Sequence, residues 1–206
     1  MMKCLFSHAL ILFCAVTASC QSKIPFKDIR EGDVVFQSNI SPQCEAIRQA
    51  THSVWTHCGM VFKQDGKLYV YEAIEPVTYT PLEDWAARSP QHFVVKRLKD
   101  TTVLTSAMIN KMAMAGRKYK GKHYDSYFEW SDDRIYCSEL VWKIYKEGTG
   151  LELGEPKPLR SYDLSSEIVK RTMEQRYGNN IPLTEKMIAP SSIYASTLLK
   201  TIYEAK

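Results

Sequence analysis

Mostly apolar, strand-like runs occupy His57 to Lys63 and Leu68 to Ile74, and the two are joined by Gln64-Asp65-Gly66-Lys67. Strand-like runs on either side of Asp-Gly predict a β-hairpin, because the tight turn needs positive φ at its two central residues and Asp and Gly tolerate it. Gly32-Asp33-Val34-Val35-Phe36 predicts a turn feeding a short buried strand. Val77 to Thr80 and Phe93 to Leu98 are expected to extend the same antiparallel sheet. Helical spacing takes over elsewhere: a short helix over Glu45 to Ala50, and an amphipathic one over Thr105 to Tyr119, apolar at Ala107, Met108, Met112, Ala115 and Tyr119 and ended by Gly121. From Cys137 the apolar positions are Cys137, Leu140, Val141, Ile144 and Tyr145, spaced i, i+3, i+4, i+7, i+8, until Gly148-Thr149-Gly150 stops the helix. Glu167 to Tyr177 and Ser191 to Tyr203 also read as helical, the second starting at Pro190 with a Ser cap. No internal repeat or low-complexity tract interrupts the series. The expected class is α+β, one antiparallel sheet with helices packed on it.

The first twenty residues depart from this pattern. Lys3 precedes an apolar run from Cys4 to Val16 that ends in Thr17-Ala18-Ser19-Cys20. A charged start, a short apolar core and small residues make a secretory signal, too short to span a bilayer. Ala18-Ser19-Cys20 resembles a bacterial lipobox, with Thr17 where a large aliphatic residue is usual, and the resemblance implies lipidation of Cys20. The expected organisation is a lipoprotein-type signal peptide at 1–19, a tether at 20–31 and a single folded domain at 32–206, exported to the cell envelope and anchored to the membrane through Cys20. The alternatives are cleavage near Ala18 or Ser19, giving a soluble periplasmic or secreted form, and an uncleaved anchor.

Charge narrows the partners. The chain of 206 residues carries 27 basic and 23 acidic side chains, a net +4, and they are interspersed. That is no nucleic-acid footprint. Of the 6 cysteines, Cys4 and Cys14 lie in the leader and Cys20 at its processing site, which leaves Cys44, Cys58 and Cys137. An odd number in an exported domain argues against a disulfide framework and leaves a free thiol to be explained. His52, His57, His92 and His123 show no paired ligand spacing and the cysteines form no C-x-x-C, so neither a metal nor another cofactor is expected.

Candidate chemistry lies in three segments. Strand alternation puts His57, Gly59 and Val61 on one face and Cys58, Met60 and Phe62 on the other, so Cys58 reads as a buried core thiol. Gly59 leaves space beside the imidazole for another element. Val70, Glu72 and Ile74 share a face, and a carboxylate between aliphatic residues demands a partner: either His57 across the hairpin or a lysine such as Lys63 or Lys67. Cys137 stands in the first turn of its helix, where unpaired N–H groups and the positive dipole end lower a thiol's pKa and can hold an oxyanion; the alternative is a small core residue. The helix stripe and the His57 face are expected to meet across the sheet. Tyr124, Tyr127, Phe128, Trp130 and Tyr136 crowd the approach as core or cleft wall.

Gly32-Asp33-Val34-Val35-Phe36, Trp55-Thr56-His57-Cys58-Gly59, Tyr71-Glu72-Ala73, Tyr124-Asp125 and Tyr136-Cys137-Ser138-Glu139-Leu140-Val141 together resemble the permuted papain-like amidases of the YiiX/YaeF type, circularly permuted relatives of NlpC-type cell-wall peptidases. In that family, as here, His precedes Glu and Cys comes last. The resemblance extends from about Gly32 to Pro190-Ser191-Ser192. It implies a circularly permuted papain-like fold, with His57 as base, Glu72 as its orienting partner, Cys137 as nucleophile and Tyr124 as a site-lining, substrate-binding or oxyanion residue. Cys58 departs from the pattern, since Val is commoner after the His.

The implied activity is a cysteine amidase or peptidase acting on a cell-envelope peptide or an amide-linked amino acid. Related permuted enzymes include lipid ester hydrolases and acyltransferases that use the same thiol. A non-catalytic binding module on the same fold is the third reading.

Overall fold

The structure, a computed structural model, describes residues 26–89 and 92–205. The chain runs through β1 (Val34–Gln37), α1 (Pro42–Thr51), β2 (His57–Gln64), β3 (Lys67–Glu72), β4 (Thr78–Pro81), the short α2 (Leu82–Ala87) and β5 (Phe93–Leu98). Two longer helices follow, α3 (Ser106–Arg117) and α4 (Cys137–Thr149). The remainder holds β6 (Lys157–Pro158), α5 (Glu167–Tyr177), β7 (Lys186–Met187), α6 (Pro190–Tyr194) and β8 (Leu199–Glu204).

Six strands pair antiparallel in the order β4-β3-β2-β1-β5-β8, and β6 with β7 makes a separate ribbon. The β2–β3 turn has Asp65 at φ 48° and Gly66 at φ 81°, the geometry that Asp-Gly implied. It sets the register Val61 opposite Val70 and Met60 opposite Tyr71.

Both faces of the sheet are covered. Val34, Phe36, Cys58, Met60 and Val94 pack beneath α3 and α4, against Met112, Leu140 and Ile144. Val35, Val61, Val70 and Val95 pack on the other face against Leu82, Trp85 and Ala86 of α2. Burial on two sides is why consecutive apolar residues occur in both strands, Val34-Val35-Phe36 in β1 and Phe93-Val94-Val95 in β5. Helices α3 and α4 approach closely at Gly148, where a Cβ would lie 2.4 Å from the Met112 side chain and 2.8 Å from its Cα. Beside β1, the buried Asp33 accepts from Arg97 Nε at 2.6 Å and from Arg97 again at 2.8 Å, tying β1 to β5.

Three expectations need correction. Residues 26–31, placed in the tether, are packed: Phe26–Asp28 form a 3-10 turn, Ile29 is buried with the α2 layer, and Asp28 O accepts from Arg97. Residues 1–25, with the signal peptide and Cys20, lie outside those described. The helix expected over Ser191 to Tyr203 ends at Tyr194, and Leu199–Glu204 is instead the strand that covers the edge of β5. Its β-branched Thr201 and Ile202 and aromatic Tyr203 suit a strand, and the open edge of β5 supplies partners that no local pattern reveals. Finally, α4 packs on the Cys58 face, not the His57 face. His57 stacks on Trp85 on the α2 side, and it meets α4 only because it is the first residue of β2, at the end of the strand.

Candidate active site

Tyr136 is extended, at φ −105° and ψ 168°, and Cys137 opens α4 with no side chain accepting from its first-turn amides. The thiol therefore sits beside unpaired N–H groups at the positive end of the helix. Cys137 is 3 % exposed and His57 7 %. The two side chains lie close enough for each to shift the titration of the other.

His57 is fixed from its other side. Its Nε2 donates to Glu72 Oε2 at 2.6 Å, which leaves Nδ1 for the thiol. Glu72 is wholly buried, and every lone-pair direction of its carboxylate is used. Trp85 Nε1 donates to Oε2 at 2.8 Å, and the Thr80 hydroxyl and an Arg88 guanidinium nitrogen donate to Oε1 at 2.6 and 2.8 Å. The cation that meets this carboxylate is thus Arg88, not Lys63 or Lys67. The space beside Gly59 is filled by the paired strand: a Cβ there would lie 2.4 Å from Val70 Cγ1 and 3.3 Å from Glu72 Cβ. Any larger residue would push Glu72 away from His57.

The electrostatics describe an ion pair. The Cys58 thiol, by its hydrogen bond, acts against burial to hold Cys137 well below the usual thiol range, helped by the charge and hydrogen bond of His57 and the Cys58 backbone N–H. Burial alone would lower His57, but the Cys137 thiolate and Glu72 outweigh it and raise the imidazole to about 10. Burial pushes Glu72 up, yet His57, Thr80 and Arg88 hold it at about 2. Cys58 is a core thiol as expected, fully buried, and burial with the adjacent thiolate pushes it well up. At neutral pH the thiolate, imidazolium and carboxylate therefore coexist, with Cys58 protonated as a donor to the first.

Tyr124 lies close enough to Cys137 that burial and the thiolate's charge raise its hydroxyl well above the ordinary value, so it stays an O–H donor. That hydroxyl accepts from Gln43 Nε2 at 3.2 Å, and Gln43 Oε1 accepts from Arg176 at 2.7 Å. Thr80, Trp85, Arg88, Gln43 and Arg176 were not singled out in the sequence. The only signal for the first three was the demand of a buried carboxylate for partners. Beside Cys137 opens a cleft of about 710 Å³, counted with the space at its mouth, between α1, α5, the start of α4 and residues 187–190.

An α+β fold with a thiol at a helix start, an imidazole on the adjoining strand and a carboxylate behind it defines a papain-like hydrolase architecture, here with His57 and Glu72 ahead of Cys137 in the chain. The model of the permuted papain-like amidase enzyme, YaeF/YiiX, C92 family, matches residues 28–203, and the chain belongs to that family. It is 42% identical over 172 residues to the uncharacterized protein YiiX of Escherichia coli (strain K12), covering 83% of this chain and 84% of that protein. The crystal structure of metalloprotein yiiX from Escherichia coli O157:H7 superposes with a TM-score of 0.82 at 40% identity, covering 86% of this chain and 98% of that one.

The description of that structure as a metalloprotein prompts a comparison with the donors present here. Among the described residues, no three His, Cys, Asp or Glu side chains gather as ligands. In the site itself, Glu72 has both oxygens committed and His57 Nε2 is committed to Glu72. These residues do not fit a metal-binding set.

Proposed function

We propose that the protein is a cysteine amidase or peptidase that hydrolyses an amide bond in a cell-envelope peptide or an amino-acid conjugate. The observation that carries this reading is the 2.6 Å contact between His57, whose charge is coupled to the Cys137 thiol, and a fully buried Glu72. The Cys137 thiolate attacks the carbonyl carbon, and the oxyanion accepts from the first-turn amides of α4 and the Tyr124 hydroxyl. The C–N bond breaks as His57 gives its proton to the leaving amine, which leaves a thioester on Cys137. Neutral His57 then takes a proton from water, the resulting hydroxide attacks the thioester, and the C–S bond breaks. The acid is released and the thiolate–imidazolium pair restored.

The apolar character of the cleft beside Cys137 favours a second reading, in which the same thiol opens a lipid ester and passes the acyl group to water or another acceptor. In both readings the enzyme is exported and held at the membrane by lipid on Cys20. The chemistry is tested by incubating the protein with envelope peptides, amino-acid amides and lipid esters, quenching in acid and weighing the intact chain. An acyl adduct on Cys137, absent from Cys137→Ala, is the expected result. Absence of both adduct and turnover across the panel would overturn the hydrolase reading.

A further inference from the structure

Helix α3 carries no acidic residue, and its outer side is basic. Ile109, Met112 and Gly116 are buried, while Lys111, Met114, Arg117 and Lys118 are exposed. Spaced by three and four, these four share one face of the helix, about 10 Å long at 1.5 Å per residue. Lys120 extends the basic run past the helix end. Lys118 is taken up by Glu147 at 2.8 Å, with Asp132 at 3.6 Å from the same ammonium. Lys111, Arg117 and Lys120 have no carboxylate partner among the described residues. Met114, in the middle of this face, is 65 % exposed. Cations around an exposed apolar side chain suit a bilayer surface, where phosphates meet the cations and the thioether enters the headgroup boundary.

The entry of the chain into the fold points to the same occupant. A Cβ on Gly32 would lie 3.0 Å from Ile109 Cδ1, and Arg30 and Asn110 line one surface pocket. The segment that follows Cys20 therefore comes in beside the first half of α3, and Arg30 stands ten positions after that cysteine. The second half of α3 lies towards the catalytic end. Gly148 meets Met112 and Gly116 meets Ile144, so α3 and α4 run antiparallel, and Arg117 and Lys120 lie towards the end of α4 that Cys137 opens.

We propose that the exposed face of α3, continued by Lys120, docks on the anionic phospholipid surface of the membrane that holds the protein. This rests on the membrane placement proposed above and names the side of the domain turned to the bilayer. A lipid on Cys20 alone would leave the domain free to tumble on its tether. The basic face orients it, with the Cys137 end held near the surface, and is too weak at cellular ionic strength to replace the anchor.

The test uses the mature chain from Gln21, which contains the whole described fold and no lipid, so its result does not depend on Cys20. It is sedimented at low salt with vesicles of phosphatidylcholine alone or in equal parts with phosphatidylglycerol. Each Lys or Arg near an anionic surface favours binding by roughly fivefold. Binding to the anionic vesicles should exceed binding to the neutral ones at least tenfold, and fall at least tenfold on raising salt to about 0.15 M. Replacing Lys111, Arg117 and Lys120 together by Gln should lower it at least twentyfold. Should that variant not fold, Lys120→Gln alone, outside the helix, should lower it at least threefold. Replacing Lys157, Lys186 and Lys200, on β6, β7 and β8, should change it less than threefold. Met114→Gln should weaken binding to vesicles at least threefold and leave binding to soluble polyphosphate unchanged. Equal loss from the two triple variants, or no preference for anionic vesicles, would overturn the docking face and leave the anchor standing. Vesicle binding indifferent to Met114→Gln and matched by polyphosphate would make the face a polyanion site and overturn the bilayer as its partner.

Discussion

His57 Nε2 and Glu72 Oε2 lie 2.6 Å apart, and Glu72 can hold that position only because three further donors neutralise a carboxylate that water never reaches. Glu72 thus acts on the thiol indirectly: it fixes the ring so that Nδ1 faces Cys137, and it stabilises the imidazolium. Replacing it by the isosteric amide should leave the fold intact and weaken the pair. For Glu72→Gln, kcat/KM is expected to fall about 10²- to 10⁴-fold, with the alkaline limb of the pH profile moving down as His57 loses a carboxylate. An unchanged alkaline limb would assign Glu72 a packing role only.

How much of this was legible in the chain depends on whether a feature is local. The hairpin is legible in two strand-like apolar runs around Asp65-Gly66, and the helix opened by Cys137 in its 3.6-residue stripe, because both patterns are set by neighbours in sequence. The grouping of His57, Glu72 and Cys137 was inferred from type and order, and the structure brings these three together. What the chain did not disclose are contacts between distant segments. Trp85 reaches Glu72 from a helix of only six residues and Arg88 from its C-cap, and Gln43 connects α1 to Tyr124 and α5. Leu199–Glu204 becomes a strand only because β5 has an open edge.

The ion pair predicts a distinctive pH dependence. Cys137 is depressed and His57 raised to about 10, so the reactive pair should persist from well below the ordinary thiol pKa up to about pH 10. At pH 6 iodoacetamide should label Cys137 and spare Cys58, which is buried and pushed up. His57→Ala should slow the labelling of Cys137 at pH 6, since the thiolate loses its cation. Equal labelling of both thiols at pH 6 would contradict the scheme. Stability follows the same groups with opposite signs. His57, raised on folding, contributes below its unfolded value of about 6.5, and the contribution is lost as pH rises through about 10. Glu72, depressed, contributes above 4.5 and loses that contribution as pH falls through about 2. Thermal melts of wild type against His57→Gln should diverge most below pH 6.5 and converge towards pH 10.

Tyr124 is placed to donate its hydroxyl hydrogen, since the oxygen already accepts from Gln43. Tyr124→Phe keeps the ring and removes the donor. Loss of a single oxyanion donor costs about 10²- to 10³-fold in kcat, so the decrease should appear in kcat with KM little changed. A variant that loses KM alone would make Tyr124 a substrate contact and leave the oxyanion to the amides of α4.

The N-terminus bears on where the protein works. Lys3, the apolar run from Cys4 to Val16 and Ala18-Ser19-Cys20 favour export with lipid attached at Cys20. Phe26 already belongs to a 3-10 turn of the folded part, only six positions after Cys20 in the chain, so a protein lipidated there would be held close to the membrane surface. A diacylated terminus is a two-chain anchor, whereas a mildly basic domain without it has little affinity for a bilayer. Cys20→Ser should therefore leave circular dichroism and thiol reactivity unchanged while moving the protein from the membrane fraction to the soluble one. If the wild-type chain from its native host carries an unmodified terminus at Cys20 or a neighbouring residue by mass spectrometry, the lipid anchor is excluded.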